Sequence, residues 1–359
     1  MYSEKSNPMT RKKSENQAFS NQIISWYREN PRELPWRETS DPYKIWLSEI
    51  ILQQTRVAQG LPYYYAFTQA FPTVKELALA PESEVLRLWQ GLGYYSRARN
   101  LHSCAKYIWH DLFGEFPSTY ESLIKLKGVG SYTAAAISSF AFGEVKAVVD
   151  GNVFRVLARY FGIETDIASA KAKKEFEELA NQLIPEENPG EFNQAMMDFG
   201  ARLCVPKNPG CVQCPLKSNC FAFNSNLVNT LPVKIKKTKV KERTLDYLVI
   251  RCADALVLNK RSEGDIWTGL HDFPLLTEEN AALSKIADSK PKLLPRKYRH
   301  ILSHQRLHAS FSELEIPTEK YQELTKWCEN EGFLLVAEND IEYLAKPKLI
   351  VNFLNDQGI

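Results

Sequence analysis

The chain has 359 residues, 44% of them hydrophobic and 25% charged, with a formal net charge of +2 at pH 7. That length and composition describe an ordinary globular protein with room for two domains and two cores. No stretch approaches a membrane span and residues 1–15 lack the apolar run of a secretory signal, so neither a membrane partner nor secretion is expected.

Residues 1–16 are polar and mixed in charge and are expected to form a disordered tail. Asp41-Pro42 pairs an N-cap with proline at the first helical position and opens a predicted helix over Tyr43–Gln54. Apolar residues then recur at helical spacing through Val74–Trp89, Ala98–Leu112, Leu123–Ala141 and Val153–Phe161. A linker is expected over residues 225–243. Beyond it the texture changes to strand-like runs, Tyr247–Cys252 and Ala255–Leu258, mixed with helical segments such as Lys320–Glu329.

Charge is unevenly spread. From Phe199 to Lys241 there is no acidic residue, while Arg202, Lys207, Lys217, Lys234, Lys236, Lys237, Lys239 and Lys241 all fall there. Such a stretch attracts a phosphate backbone, although a solvated linker has the same composition. Within it stand Cys204, Cys211, Cys214 and Cys220, spaced C-x6-C-x2-C-x5-C. Four thiolates in one short segment can surround a single metal centre, and this spacing predicts a [4Fe-4S] cluster. Zinc is the rival, but structural zinc sites bring two tight C-x2-C pairs together and only one such pair is present. Cys104, Cys252 and Cys328 are scattered and suggest no disulfide framework, which points to a reducing compartment.

In Leu123-Ile-Lys-Leu-Lys-Gly-Val-Gly-Ser-Tyr-Thr-Ala-Ala-Ala-Ile137, Gly128 and Gly130 permit a tight turn between two helices. The first N–H groups of the second helix can bind a phosphate with help from the helix dipole. A plain helical hairpin has the same pattern; the small-residue helix and the downstream cysteines favour a DNA-binding hairpin over about residues 119–142.

At this point the chain resembles the endonuclease III superfamily of DNA glycosylases, and within it the MutY family of adenine DNA glycosylases. The residues that carry the resemblance are Leu34-Pro-Trp-Arg37, Trp46-Leu-Ser-Glu-Ile-Ile-Leu-Gln-Gln-Thr55, Gly91-Leu-Gly-Tyr-Tyr-Ser-Arg-Ala98, Val149-Asp-Gly-Asn-Val153 and Phe192-Asn-Gln-Ala-Met-Met197, together with the hairpin and the cysteine spacing. The resemblance implies a mainly α N-terminal part over residues 17–224, a six-helix barrel with helix-hairpin-helix plus a cluster domain, followed by an α+β Nudix-like domain over 244–359. It also implies a monomer acting on double-stranded DNA with 8-oxoguanine:adenine or G:A mispairs, in the cytoplasm of a bacterium or the nucleus or mitochondrion of a eukaryote.

Glu49 lies among Trp46-Leu47 and Ile50-Ile51-Leu52, where full burial raises a carboxyl pKa by up to ~3–5 units and keeps a proton available near neutrality. The resemblance makes it the general acid toward adenine. Asp150 reads by itself as an N-cap; the resemblance adds stabilisation of the sugar cation, with Tyr132 and Asn152 hydrogen-bonded nearby. Bifunctional relatives carry a Schiff-base lysine where this chain has Tyr132, so strand cleavage by that route is not expected. The resemblance further implies that Gln53, Leu92 and Tyr94 fill the gap left by the flipped base, and that Trp36, Arg37 and Gln194 line the adenine pocket.

Gly264-Asp-Ile-Trp-Thr-Gly-Leu-His-Asp-Phe-Pro274 resembles the opening of the family's Nudix-like domain, which recognises 8-oxoguanine. The family's F-S-H loop corresponds to Leu302-Ser303-His304, with Leu in place of Phe. No R-E-x-x-E-E magnesium helix occurs in residues 244–359, so pyrophosphatase activity is not expected. The competing readings are a bifunctional glycosylase/lyase, disfavoured by Tyr132, and a non-catalytic redox-sensing iron–sulfur DNA-binding protein, disfavoured by Glu49 and Asp150.

Overall fold

The structure is a computed structural model and describes residues 8–359 apart from 236–239, 278–282, 284–285, 288 and 303. Two compact units divide it: residues 1–57, 73–75 and 104–236 form one, and residues 58–72, 76–103 and 237–359 the other. The expected catalytic region, residues 17–224, takes in residues of both units, since 58–72 and 76–103 group with the C-terminal part.

In the first unit, the Asp41 side chain accepts a hydrogen bond from the Tyr43 N–H at 2.9 Å and starts the helix Pro42–Leu52. This helix buries every residue from Ile45 to Ile51. It packs against Ser131–Phe142, whose Ala134, Ala135 and Ala136 are small enough to let the two helices close in. A second core gathers Phe19 and Ile23 of Pro8–Glu29, Val153, Val156 and Leu157 of Gly151–Phe161, Phe176 of Ala170–Leu183, and Phe192 and Met196 of Pro189–Asp198. The first helix starts at Pro8, inside the stretch expected to be a disordered tail. Part of the expected linker is also tied down. The Arg159 Nε donates to the Leu231 carbonyl at 3.1 Å, the Ile167 N–H to the Val233 carbonyl at 3.0 Å, and Leu231 is buried.

The predicted run Val74–Trp89 is two helices, Val74–Leu79 and Glu82–Leu88, because Pro81 takes an extended conformation between them. The predicted run Leu123–Ala141 is likewise split by the hairpin, into Tyr120–Leu123 and Ser131–Phe142.

The second unit carries a mixed sheet. Strand β1 (Lys241–Cys252) starts within the expected linker and pairs in parallel with β6 (Gln305–Ile316) over its whole length, from Lys241↔Gln305 to Cys252↔Ile316. Around this pair lie β2 (Ala255–Lys260), β3 (His271–Asp272), β4 (Lys292–Leu293), β5 (Tyr298–Ile301) and β7 (Leu334–Ala337), in the order β3-β2-β1-β6-β4 with β5 also on β6 and β7 on β2. Alternation along β1 serves two cores. Leu245, Tyr247 and Val249 face the helix Lys348–Gln357, while Leu248, Ile250 and Cys252 face the helix Tyr321–Glu331.

Phe311 and Phe353 stack in the first of these cores with ring centroids 3.9 Å apart and planes 9° apart. Truncating Phe353 to Ala is expected to destabilise the domain by about 3–5 kcal/mol. A urea melt of the full chain checks this; an unchanged midpoint would remove the stack from the core.

Candidate active site

Glu49, Tyr132 and Asp150 arrive from three helices. Glu49 sits on Pro42–Leu52 and is 5% exposed, Tyr132 is the second residue of Ser131–Phe142, and Asp150 caps Gly151–Phe161. The Tyr132 hydroxyl donates to the Glu49 carboxyl and lies 3.9 Å from Met197 Sδ. Burial pushes the Glu49 carboxyl up to about 7; the Tyr132 bond and the Arg37 charge oppose this, and the Asp150 charge adds to it. Burial, reinforced by the charges of Glu49 and Asp150, also holds the Tyr132 phenol well above its ordinary value, so the tyrosine is a donor and no base.

Asp150 has more partners. Its Oδ1 accepts from the N–H groups of Asn152 and Val153, both at 2.8 Å, and its Oδ2 from Asn152 Nδ2 at 2.7 Å. Burial still raises its pKa above the ordinary carboxyl value, with these bonds and Arg155 pulling the other way. The pKa of Asp150 is therefore a compromise between desolvation and donors. Arg155 Nη2 bonds Asn152 Oδ1 at 2.8 Å and the Gly200 carbonyl at 2.7 Å, which fixes the asparagine from behind. Only glycine fits at position 200: a Cβ there would come within 2.7 Å of Asn152 Cβ and 2.9 Å of its carbonyl oxygen.

A cavity of about 180 Å³ opens beside these groups, lined among others by Trp36, Arg37, Glu49, Gln194 and Asp198. It is smaller than the ~300–1,000 Å³ of ordinary small-molecule clefts, which suits one planar base. Arg37 forks onto Asp198 with two bonds of 2.8 Å, and Asp198 is buried. Burial works against the Arg37 charge and the Asp198 carboxylate outweighs it, leaving the pKa raised. The Tyr27 hydroxyl donates to Gln194 Oε1 at 2.9 Å and so orients the carboxamide. An adjoining cavity of about 400 Å³ shares Glu49, Tyr132 and Asp150 and adds Gln53 and Gln54. Gln53 Nε2 reaches Thr133 Oγ1 at 3.3 Å, and Gln54 has a left-handed φ of +54°.

The second unit holds a cavity of about 380 Å³ that brings together Leu92, Tyr94, Trp267, His300, Leu302 and His304. Leu92, expected to enter the duplex, is only 6% exposed, so its side chain is packed away; Tyr94 is 45% exposed. Tyr94 and Trp267 have φ of +47° and +63°, a left-handed conformation that costs a bulky residue about 1–3 kcal/mol. Ser303 lies outside the described residues.

Gly128 has φ +82° and Gly130 caps the helix Ser131–Phe142, with open space where a Cβ would project. Cys204, Cys211, Cys214 and Cys220 are partly buried free thiols that interact electrostatically with one another. Backbone N–H groups bond the sulfurs of Cys214 (from Leu216) and Cys220 (from Phe223 and Ala222), and Arg159 Nη1 lies 3.3 Å from Cys204 Sγ. Among the described residues, no three His, Cys, Asp or Glu side chains close on a point that would hold one metal ion. No helix among them is long and apolar enough to cross a membrane. Of the basic stretch, Lys236, Lys237 and Lys239 lie outside the described residues.

Sequence reading missed Asp198, Tyr27, Trp267 and His300. Asp198 follows Gln194 by one helical turn in an apolar run, a signal for a buried, paired acid. The other three carry no pattern of their own.

Comparison with known proteins agrees with this geometry. Residues 47–185 match the HhH-GPD superfamily of base excision DNA repair proteins, and residues 246–356 match the NUDIX domain. A solved structure of a thermostable thymine-DNA glycosylase superposes with a TM-score of 0.55 at 31% identity, covering 60% of this chain and 99% of its own. The human adenine DNA glycosylase is 45% identical over 214 residues, 57% of this chain and 39% of the human protein. The adenine DNA glycosylase of Buchnera aphidicola (subsp. Baizongia pistaciae) is 37% identical over 296 residues, 81% of this chain and 84% of that protein. A helical hairpin glycosylase unit, a Nudix-like sheet and identity at this level over nearly the whole of a relative make one conclusion: the chain belongs to the adenine DNA glycosylase family.

Proposed function

We propose that this chain hydrolyses the N-glycosidic bond of adenine mispaired with 8-oxoguanine or guanine in double-stranded DNA and leaves the strand uncut. The observation that carries the reading is the Glu49 carboxyl, buried and raised to about 7, next to Asp150 at the border of two cavities. Removing adenine needs a proton on the base and negative charge beside the developing oxocarbenium ion. Glu49 is half protonated near neutrality and supplies the proton to a ring nitrogen. Asp150 supplies the charge, held in place by Asn152 and two backbone N–H groups. Deprotonated Glu49 then accepts a proton from the incoming water. Tyr132 orients Glu49 through its hydroxyl and offers no amine, which supports hydrolysis without a Schiff base.

Flipping adenine out of the duplex costs a few kcal/mol, roughly. The cavity lined by Trp36, Arg37 and Gln194 suits the flipped base, and Gln53 and Tyr94 are exposed enough to meet the opened helix. The hairpin at Gly128–Gly130 supports phosphate binding by N–H groups at a helix start. His304, with Ser303, is assigned to the opposing base. The four cysteines, with a single tight C-x2-C pair at Cys211 and Cys214, fit a [4Fe-4S] cluster better than a structural zinc ion, which usually takes two such pairs. Such a cluster supplies architecture, since hydrolysis moves no electrons.

Single-turnover adenine release is expected to fall at least about 100-fold in Glu49→Gln and in Asp150→Asn, with duplex affinity retained. Near-normal rates in either variant would sink that residue's role. Wild-type release should decline as pH rises through about 7, where Glu49 loses its proton. The same shift has a stability consequence of opposite use. Because the folded pKa exceeds the unfolded one, Glu49 contributes stability at low pH that is lost as pH rises through 7; the neutral Glu49→Gln should therefore gain on wild type by on the order of 2–3 kcal/mol between pH 5 and pH 8. Thermal melts at the two pH values test this, and a pH-independent difference contradicts it. Metal analysis of the purified chain should find iron and acid-labile sulfide in equal amounts; stoichiometric zinc without sulfide would replace the cluster.

A further inference from the structure

The cavity in the second unit has two charged residues on its wall, both bonded within the protein. Arg99 Nη1 donates to the Thr268 carbonyl at 2.7 Å. Asp265 takes both Nη groups of Arg243, at 2.6 and 2.7 Å, and Nη2 of Arg261 at 2.5 Å. Much of the remaining wall is aromatic, Tyr94, Trp267 and His300, set among aliphatic Ile266, Ile301 and Leu302. A wall of that kind suits a flat, neutral ring system better than a phosphate.

Trp267 is built into position. Its ring meets the His300 ring edge-on at 5.7 Å, and the Arg261 guanidinium stands 5.9 Å from its centroid. Arg261 is itself clamped by Asp272 at 2.7 Å, Asp265, and the Ile266 carbonyl at 2.9 Å. Burial pulls the His300 pKa down, which keeps its ring neutral against the tryptophan. The backbone at Trp267 is left-handed, as it is at Tyr94, so two bulky residues on one cavity both hold a conformation that glycine would adopt more easily.

We propose that Trp267, braced by Arg261 and edged by His300, is a specificity-determining residue that stacks on the purine opposite the extruded adenine. This rests on the reading that the chain removes adenine from a purine mispair, and it adds a residue that the Leu302-Ser303-His304 loop does not provide. With leucine at position 302, the aromatic surface of the cavity comes from elsewhere in the fold.

The experiment uses the full chain and duplexes carrying a non-hydrolysable adenosine analogue opposite 8-oxoguanine, guanine or an abasic analogue. Trp267→Gly removes the ring and relaxes the backbone; Trp267→Phe keeps an aromatic face. Losing one base–aromatic stack is expected to weaken binding on the order of 5- to 150-fold. For Trp267→Gly that loss should appear with 8-oxoguanine or guanine opposite, not with the abasic analogue, and Trp267→Phe should recover most of it. Because Trp267 also packs against the core around Phe273 and Phe353, some loss of melting temperature in the glycine variant is expected, and Trp267→Phe serves as the folded reference. Equal weakening on all three duplexes, or a lowered melting temperature with no selective loss, would make Trp267 a packing residue and overturn the proposal. Adenine release by wild type, measured separately on cleavable duplexes, reports on the underlying reading: no release with a selective Trp267 effect removes the reaction and leaves the stacking site.

Discussion

Everything at the active site depends on the desolvation of one carboxyl. Glu49 belongs to a helix that is buried through seven consecutive positions, Ile45 to Ile51, against a second helix made narrow by alanines. Among the described residues no cation pairs with it closely: Arg37, the cation that acts on it, is forked onto Asp198. A carboxyl in that setting keeps its proton up to about pH 7, which the proposed transfer to adenine requires. In that proposal the Arg37–Asp198 pair belongs to the same device, because a guanidinium beside Glu49 without Asp198 would favour the anion.

The neighbouring Asp150 shows how one site holds two carboxyls in different states. Glu49 is buried and Asp150 half-buried, and Asp150 stands at a helix start where two N–H groups and an amide bond its oxygens. Glu49 receives one phenolic hydrogen bond. Burial raises both, and the difference in donors sets them apart.

The fold does not choose the base. Over 60% of the chain the architecture is shared with a thymine-DNA glycosylase, so the fold alone does not set which base is taken. Three of the non-glycine residues with left-handed backbone, Gln54, Tyr94 and Trp267, line the two larger cavities described here. Phe113, Asn208, Asn226 and Ala253 share that conformation away from these cavities.

Much of this was legible in the chain itself. The Asp41-Pro42 start, the Gly128/Gly130 turn, the cysteine spacing and the placing of Glu49 among apolar neighbours are local signals with periods or offsets that physics dictates. Helix breaks were read less well, because the apolar rhythm through Val74–Trp89 continues across Pro81 while the backbone cannot. That Leu92 is covered could not be read, since an apolar residue between two glycines says nothing about its burial. Only the tertiary structure decided that residues 58–72 and 76–103 group with the C-terminal sheet, that Asp198 neutralises Arg37, and that Trp267 and Tyr94 share a cavity. Arg37 and Asp198, for one, are 161 positions apart, where sequence spacing carries no distance.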